Sequence, residues 1–185
     1  ILDSNGVLTQ YFSQPYPTLR PRRDWVEQDG RHWVDAIKNA LEQFAPCMPE
    51  VSAIGICSQV NTHIFVGEDG MPLDTAIVWQ DGRASEEAAE LDAQISEAQR
   101  IAWWGTPMPI DASHALARML WVQRNRPEVW QKTRWMMLPK DYCILKLTGE
   151  AVTDPISNIG MVDLNLNYIP KLLDMVPGSA VKLPR

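Results

Sequence analysis

Apolar positions fall into two patterns along this chain: short continuous runs, and runs spaced three and four apart. The β-branched runs over residues 51–57 (Val-Ser-Ala-Ile-Gly-Ile-Cys) and 76–79 (Ala-Ile-Val-Trp) each end in polar residues. Runs of that kind predict buried strands. Further strands are predicted over 63–66, 135–138, 151–153 and 161–164, and a hairpin over 1–12 turns at Asp3-Ser-Asn-Gly6, where Asn-Gly favours a tight primed turn. Trp33, Ile37, Ala40, Leu41 and Phe44 recur at helical spacing after Asp29-Gly30, and Pro46 ends that helix. A second helix is predicted from Ser85 to about Ala98, with Glu86 and Glu87 in its first turn, where the helix dipole favours anions. Residues 103–109 read as loop. Asp111 or Ser113 caps the next helix, Pro127 starts a short one, Pro139 and Gly149 bound another, and 168–175 form the last. Pro15, Pro17 and Pro21 make their segment an exposed crossing. The alternation of strands and helices predicts an α/β fold.

Composition narrows the class. The 185 residues suffice for one domain with a real core, and 45% hydrophobic with 22% charged residues is ordinary for a soluble globular protein. Net charge is -6, and Lys and Arg are scattered, so nothing forms the basic stripe that nucleic-acid binding needs. No apolar run approaches a membrane span, and no signal peptide is present at the start. The opening at Ile1 without a Met suggests a truncated start. Cys47, Cys57 and Cys143 give no disulfide framework; Cys57 and Cys143 read as reduced core residues of a cytoplasmic protein.

Several chemistries lack their signatures. There is no phosphate loop of the G-x-x-x-x-G-K-[ST] type, no G-x-G-x-x-G and no G-x-S-x-G. His32, His63 and His114 show no metal-ligand spacing; His32 reads as surface, His63 as structural, and His114 lies close enough to Asp111 to join a site. The acidic run Glu86, Glu87, Glu90 and Asp92 reads as a solvated face. The polar strand ends present Asn61, Trp79, Asp81 and Arg83 toward a common crevice, where ligands of open α/β sheets collect. Asp111 is either an N-cap or a partner for a sugar hydroxyl.

Five stretches, in order, resemble the FGGY family of carbohydrate kinases. Trp25-Val-Glu-Gln-Asp29 with Trp33 resembles the family's early W-x-E-x-D…W segment, and Ala53-Ile-Gly-Ile-Cys-Ser-Gln59 its second strand. Ala76-Ile-Val-Trp-Gln-Asp-Gly-Arg83 resembles its sugar-site segment AI-x-W-x-D-x-R. Residues 113–125, with Arg118, Trp121 and Asn125, resemble a signature pattern in which Arg118 replaces the usual Lys. Leu138-Pro-Lys-Asp-Tyr142, Leu147-Thr-Gly-Glu150 and Thr153-Asp154 resemble the xylulokinase branch.

The resemblance implies an actin-like (RNase-H-like) ATPase domain, a mixed sheet flanked by helices. Residues 1–185 would be the incomplete N-terminal, sugar-binding domain of a two-domain kinase. The first strand with its Asp-x-Gly-Thr phosphate loop would precede Ile1, and the catalytic Asp and C-terminal domain would follow Arg185. The implied activity is phosphorylation of a sugar or polyol by ATP with Mg²⁺, a pentulose such as xylulose being favoured and glycerol or another short polyol the alternative. Substrate contacts carry over to Val60, Asn61, Trp79, Asp81, Asp111 and Ser113, with no catalytic, cofactor or metal residue in this chain. Trp79 matches a tryptophan packing on the carbon face of the substrate, whereas Val60-Asn61 fits neither the Met-His of xylulokinases nor the Arg-Glu of glycerol kinases. The expected partner is a small-molecule sugar, with a homodimer a compatible assembly and neither nucleic acid nor membrane involved. A non-catalytic actin-like binding module is the rival from another class; Val60-Asn61 and Arg118 favour it.

Overall fold

Asp29 starts the first helix: its carboxylate accepts the Arg31 N–H at 2.9 Å, and α1 runs Gly30–Gln43. The computed structural model describes residues 1–185. A Cβ at Gly30 would overlap the Ile64 side chain and press on Tyr142, so only glycine lets the start of α1 lie this close to its neighbours. Of four short strands, β2 (Ile64–Val66), β3 (Ala76–Ile77) and β4 (Trp135–Met137) fall on predicted apolar runs, while β1 (Glu27–Gln28) is polar and unforeseen. The β1–β3 and β2–β4 ladders are antiparallel, and a bridge from His63 to Ile77 joins the two pairs.

The helices are α2 (Ser85–Asp92), α3 (Glu97–Trp104), α4 (Ala115–Asn125), α5 (Pro127–Lys132), α6 (Pro139–Thr148) and α7 (Pro170–Leu173). The larger core packs Leu91 of α2, Leu116 and Met119 of α4, Trp130 of α5 and Leu172 of α7 with Phe65 and Met136. A smaller one packs Trp33 and Val34 of α1 against Ile64, Met137 and Tyr142. Helices α1 and α4 therefore belong to different cores, joined through the strands between them.

Several expectations are corrected. The helix foreseen over 85–98 is two, because Ser96 and Gln99 form a capping box that restarts the chain as α3. That restart draws Trp103 and Trp104 out of the predicted loop and into the helix, which ends at Gly105. The strands foreseen over 151–153 and 161–164 are only isolated pairings: Thr153 N–H donates to Arg185 O at 2.9 Å, and Val162 bridges Tyr168. The run 51–57 is in no ladder; residues 52–62 take part in no backbone-to-backbone hydrogen bond. Cys57 is consequently exposed, while Cys143 is buried as foreseen.

Between that unpaired run and the hairpin at the start of the chain lies a groove of about 980 Å³, lined by Ile1, Leu2, Leu41, Phe44, Val51 and Ile54 among others.

Candidate functional site

Three segments converge where β2 and β3 meet the start of α4. The first is the turn ahead of β2. It holds Val60, which is exposed, and Asn61, which adopts the left-handed conformation at φ 57°. Asn tolerates that region better than other non-glycine residues. The second is the end of β3, where the Trp79 N–H donates to Thr62 Oγ1 at 3.1 Å and the Trp79 side chain is half exposed. The third leads into α4 and holds Asp111 and Ser113.

The polar side chains of the first and third segments form a chain. Asn61 Nδ2 donates to Ser113 Oγ at 3.1 Å, and Ser113 Oγ donates to Asp111 Oδ1 at 2.7 Å. The Ser113 backbone N–H also reaches Asp111 Oδ1, at 2.7 Å. Asp111 therefore shapes a turn rather than capping α4. The cap is His114, whose Nδ1 accepts the Leu116 N–H at 3.2 Å. Because Nδ1 is the acceptor, Nε2 carries the proton and donates to Gly160 O at 3.2 Å. A Cβ on Gly160, at φ +92°, would come within 2.8 Å of that nitrogen, so the 154–163 loop seats on His114 only through glycine. Burial pushes His114 down to about 4 and His63 well below its ordinary value, so both are neutral near pH 7.

Asp81 is expected on the substrate, and the structure places it behind the site. It is 2% exposed. Oδ1 accepts the Arg83 N–H at 2.9 Å and Arg83 Nε at 2.8 Å; Oδ2 accepts the Val26 N–H at 2.5 Å and Arg83 Nη2 at 2.8 Å. Those four bonds use the acceptor capacity of a carboxylate. Arg83 also pairs with Glu27 at 2.7 Å, and its guanidinium lies 3.8 Å from the Trp25 ring centroid. Asp81 and Arg83 thus fix the end of β3 to β1. Val60, Asn61, Trp79, Asp111 and Ser113 stay at least partly exposed on these three segments: one hydroxyl, one carboxamide and one carboxylate with two exposed apolar residues. That set matches the mixed surface of a carbohydrate, whose hydroxyls need paired donors and acceptors and whose C–H face needs an apolar wall.

Sequence reasoning missed the cap on α4 and the centre of the network. Arg118 is 0% exposed, and it binds all three segments from beneath: Asn61 O, Ile77 O and Val78 O, and Ala112 O. Burial lowers its guanidinium to about 10, which leaves it charged near pH 7. A single arginine in the otherwise apolar run from Ala115 to Val122 is the signal that could have pointed to this role.

A second polar cluster lies at the first turn of α6. Lys140 pairs with Asp141 and, at 2.7 Å, with Asp154; Asp141 Oδ2 accepts from Thr153 Oγ1 at 2.7 Å. It ties the loop after α6 to that helix. No group of three His, Cys, Asp or Glu side chains is placed to hold a metal ion, and no helix is long and apolar enough to cross a membrane.

The family pattern described as the FGGY family of carbohydrate kinases, N-terminal domain, matches residues 1–185. The xylulose kinase of Escherichia coli K12 is 30% identical over 156 residues, covering 83% of this chain and 31% of its own length. A ligand-bound xylulose kinase structure from Lactobacillus acidophilus superposes with a TM-score of 0.83 at 25% identity, covering 100% of this chain and 38% of that one. The Plasmodium falciparum glycerol kinase structure with ADP gives a TM-score of 0.88 at 22% identity, over 99% of this chain and 39% of that one, a likeness of fold. This chain spans about a third of the length of the curated relatives it matches.

Proposed function

This chain belongs to the FGGY family of carbohydrate kinases, and from that premise we propose that it is the sugar-binding domain of an ATP-dependent kinase acting on a pentulose such as xylulose. The observation that carries the reading is the polar chain Asn61–Ser113–Asp111 beside the half-exposed Trp79, in a domain whose relatives include xylulose kinases. The side chains named above would hold the sugar. Asn61 Oδ1 and Asp111 Oδ2 accept from its hydroxyls, the Ser113 hydroxyl relays between them, and Trp79 with Val60 covers carbon. Asp81 acts from behind by fixing the strand that carries Trp79.

Phosphoryl transfer depends mainly on positioning and on charge stabilisation. These residues supply the first: they fix which hydroxyl points out of the crevice. Mg²⁺ and ATP supply the phosphoryl group and part of the charge. The grip on both, and the base for the hydroxyl proton, are assigned to the rest of a longer protein, since this chain spans about a third of the curated relatives it matches. Action as a cytoplasmic enzyme, with a homodimer as a compatible assembly, goes with the same reading.

Glycerol or another short polyol is the second reading, supported by the likeness of fold to a glycerol kinase. Calorimetric titration of the full-length protein tests the first. Xylulose should bind more tightly than glycerol, and Trp79→Ala should weaken it. Binding of neither would refute the sugar-site reading.

A further inference from the structure

Arg118 is a buried cation with an unusual set of partners. It reaches no carboxylate within ion-pair distance. Nη1 is shared between the Asn61 carbonyl, Ile77 O at 2.9 Å and His63 Nδ1 at 3.1 Å. Nη2 donates to Val78 O at 2.7 Å, and Nε to Ala112 O at 3.2 Å. Three of the four carbonyls belong to, or directly adjoin, a residue of the site: Asn61 itself, Val78 before Trp79, and Ala112 between Asp111 and Ser113; the fourth, Ile77 O, is in β3. A buried charge held by carbonyl dipoles and one imidazole nitrogen, with no carboxylate in contact, costs more desolvation than an apolar side chain of equal size. It has no evident packing purpose that leucine or methionine would not serve on the same helix face.

The left-handed Asn61 is the second observation. Its φ of 57° turns the carbonyl inward to Arg118 and the carboxamide outward to Ser113. A residue held in a sparsely populated conformation needs surroundings that over-determine it. Here those are the guanidinium beneath and the Ser113 hydroxyl in front.

We infer that Arg118 is a specificity-determining positioning residue: its planar fork sets the spacing of Asn61, Trp79 and Ser113, and thereby which sugar the crevice accepts. This rests on the sugar-kinase reading of the crevice. Lysine is the informative replacement. It keeps the charge and stands at this place in the signature that residues 113–125 resemble, so the fold accommodates it. One ammonium on an unbranched stem reaches some of these carbonyls but not all, because they surround a fork and not a point. Displacing substrate-holding groups by about 1 Å is enough to change turnover about a hundredfold.

The experiment uses the full-length protein and Arg118→Lys, with two readouts. The first is steady-state kinetics on pentuloses, pentitols and glycerol with Mg·ATP. The expected result is a rise of about tenfold in KM for the preferred sugar, a changed ranking of sugars, and an unchanged KM for ATP. The second is amide hydrogen exchange. Trp79 and Ser113 should lose protection by about tenfold, while Tyr142 and Leu145 of α6 keep theirs. If the wild type phosphorylates no sugar, the kinase reading fails and the exchange pattern still decides the role of Arg118. Wild-type KM, ranking and exchange in Arg118→Lys would overturn the inference. Equal loss of protection in α6 would also overturn it, by assigning Arg118 to the fold as a whole.

Discussion

Asn61 and Ser113 stand 52 residues apart in the chain, and their side chains meet at 3.1 Å. That contact closes the crevice between the turn ahead of β2 and the lead into α4. It joins two segments whose backbones make no hydrogen bond to each other.

Asn61→Ala removes the donor to Ser113 and one outward acceptor. A partly exposed hydrogen bond of this kind contributes about 1 kcal/mol, more when it is made to substrate. The expected outcome is a rise of about five- to thirtyfold in sugar KM with KM for ATP unchanged, measured by steady-state kinetics on the full-length protein. A parallel rise in both constants would mean that Asn61 acts on the whole cleft.

Trp79→Ala should separate binding from stability. The side chain is 51% exposed, so its loss should cost the fold about 1 kcal/mol or less. Sugar affinity should fall about tenfold if the ring covers the carbon face. Thermal melting with and without sugar measures both effects in one series.

Asp81→Ala should do the reverse. Removing a carboxylate that takes four bonds leaves Arg83 buried with Glu27 as its one anionic partner. Breaking such a pair costs about 3–5 kcal/mol. Urea unfolding should show a large drop in midpoint, and where folded protein is recovered its sugar KM should move less than in Trp79→Ala.

Stability should fall with acid in a defined window. Burial holds His114 down to about 4, against 6.5 in the unfolded chain. The unfolded state therefore takes up a proton below about 6.5 that the folded state refuses until about 4. Folding free energy drops across that interval by up to about 1.4 kcal/mol per pH unit for each such histidine. His63 shifts in the same direction from the same cause and adds to the slope. Melting temperature from pH 8 to 4 should be flat above about 6.5 and fall below it; a profile that stays flat to pH 4 would contradict the burial of both rings.

Much of this architecture could be read from local chemistry. Asp29-Gly30 and the Pro139…Gly149 pair mark the ends of α1 and α6 because capping and termination act within one turn. The break between α2 and α3 was equally local, in the Ser96…Gln99 box, and was lost under the continuous helical periodicity around it. The run 51–57 has strand composition but no ladder, since a strand exists only with a neighbour and composition does not name one. The resemblance named Asn61, Trp79, Asp111 and Ser113, and the structure links three of them, Asn61, Ser113 and Asp111, by hydrogen bonds. The resemblance could not show that Asp81 turns inward, which depends on Val26 and Arg83 meeting it in space. Arg118 was visible as a departure from a pattern; its role became legible only when four carbonyls from three segments were seen around it.

The most direct test is ADP release by the full-length protein with Mg·ATP across a panel of pentuloses, pentitols, tetritols and glycerol. A pentulose should stand well above the others, and Asn61→Ala should lower turnover of that sugar at subsaturating concentration. Folded, full-length protein that releases no ADP with any of them would contradict the kinase account and favour a non-catalytic binding module.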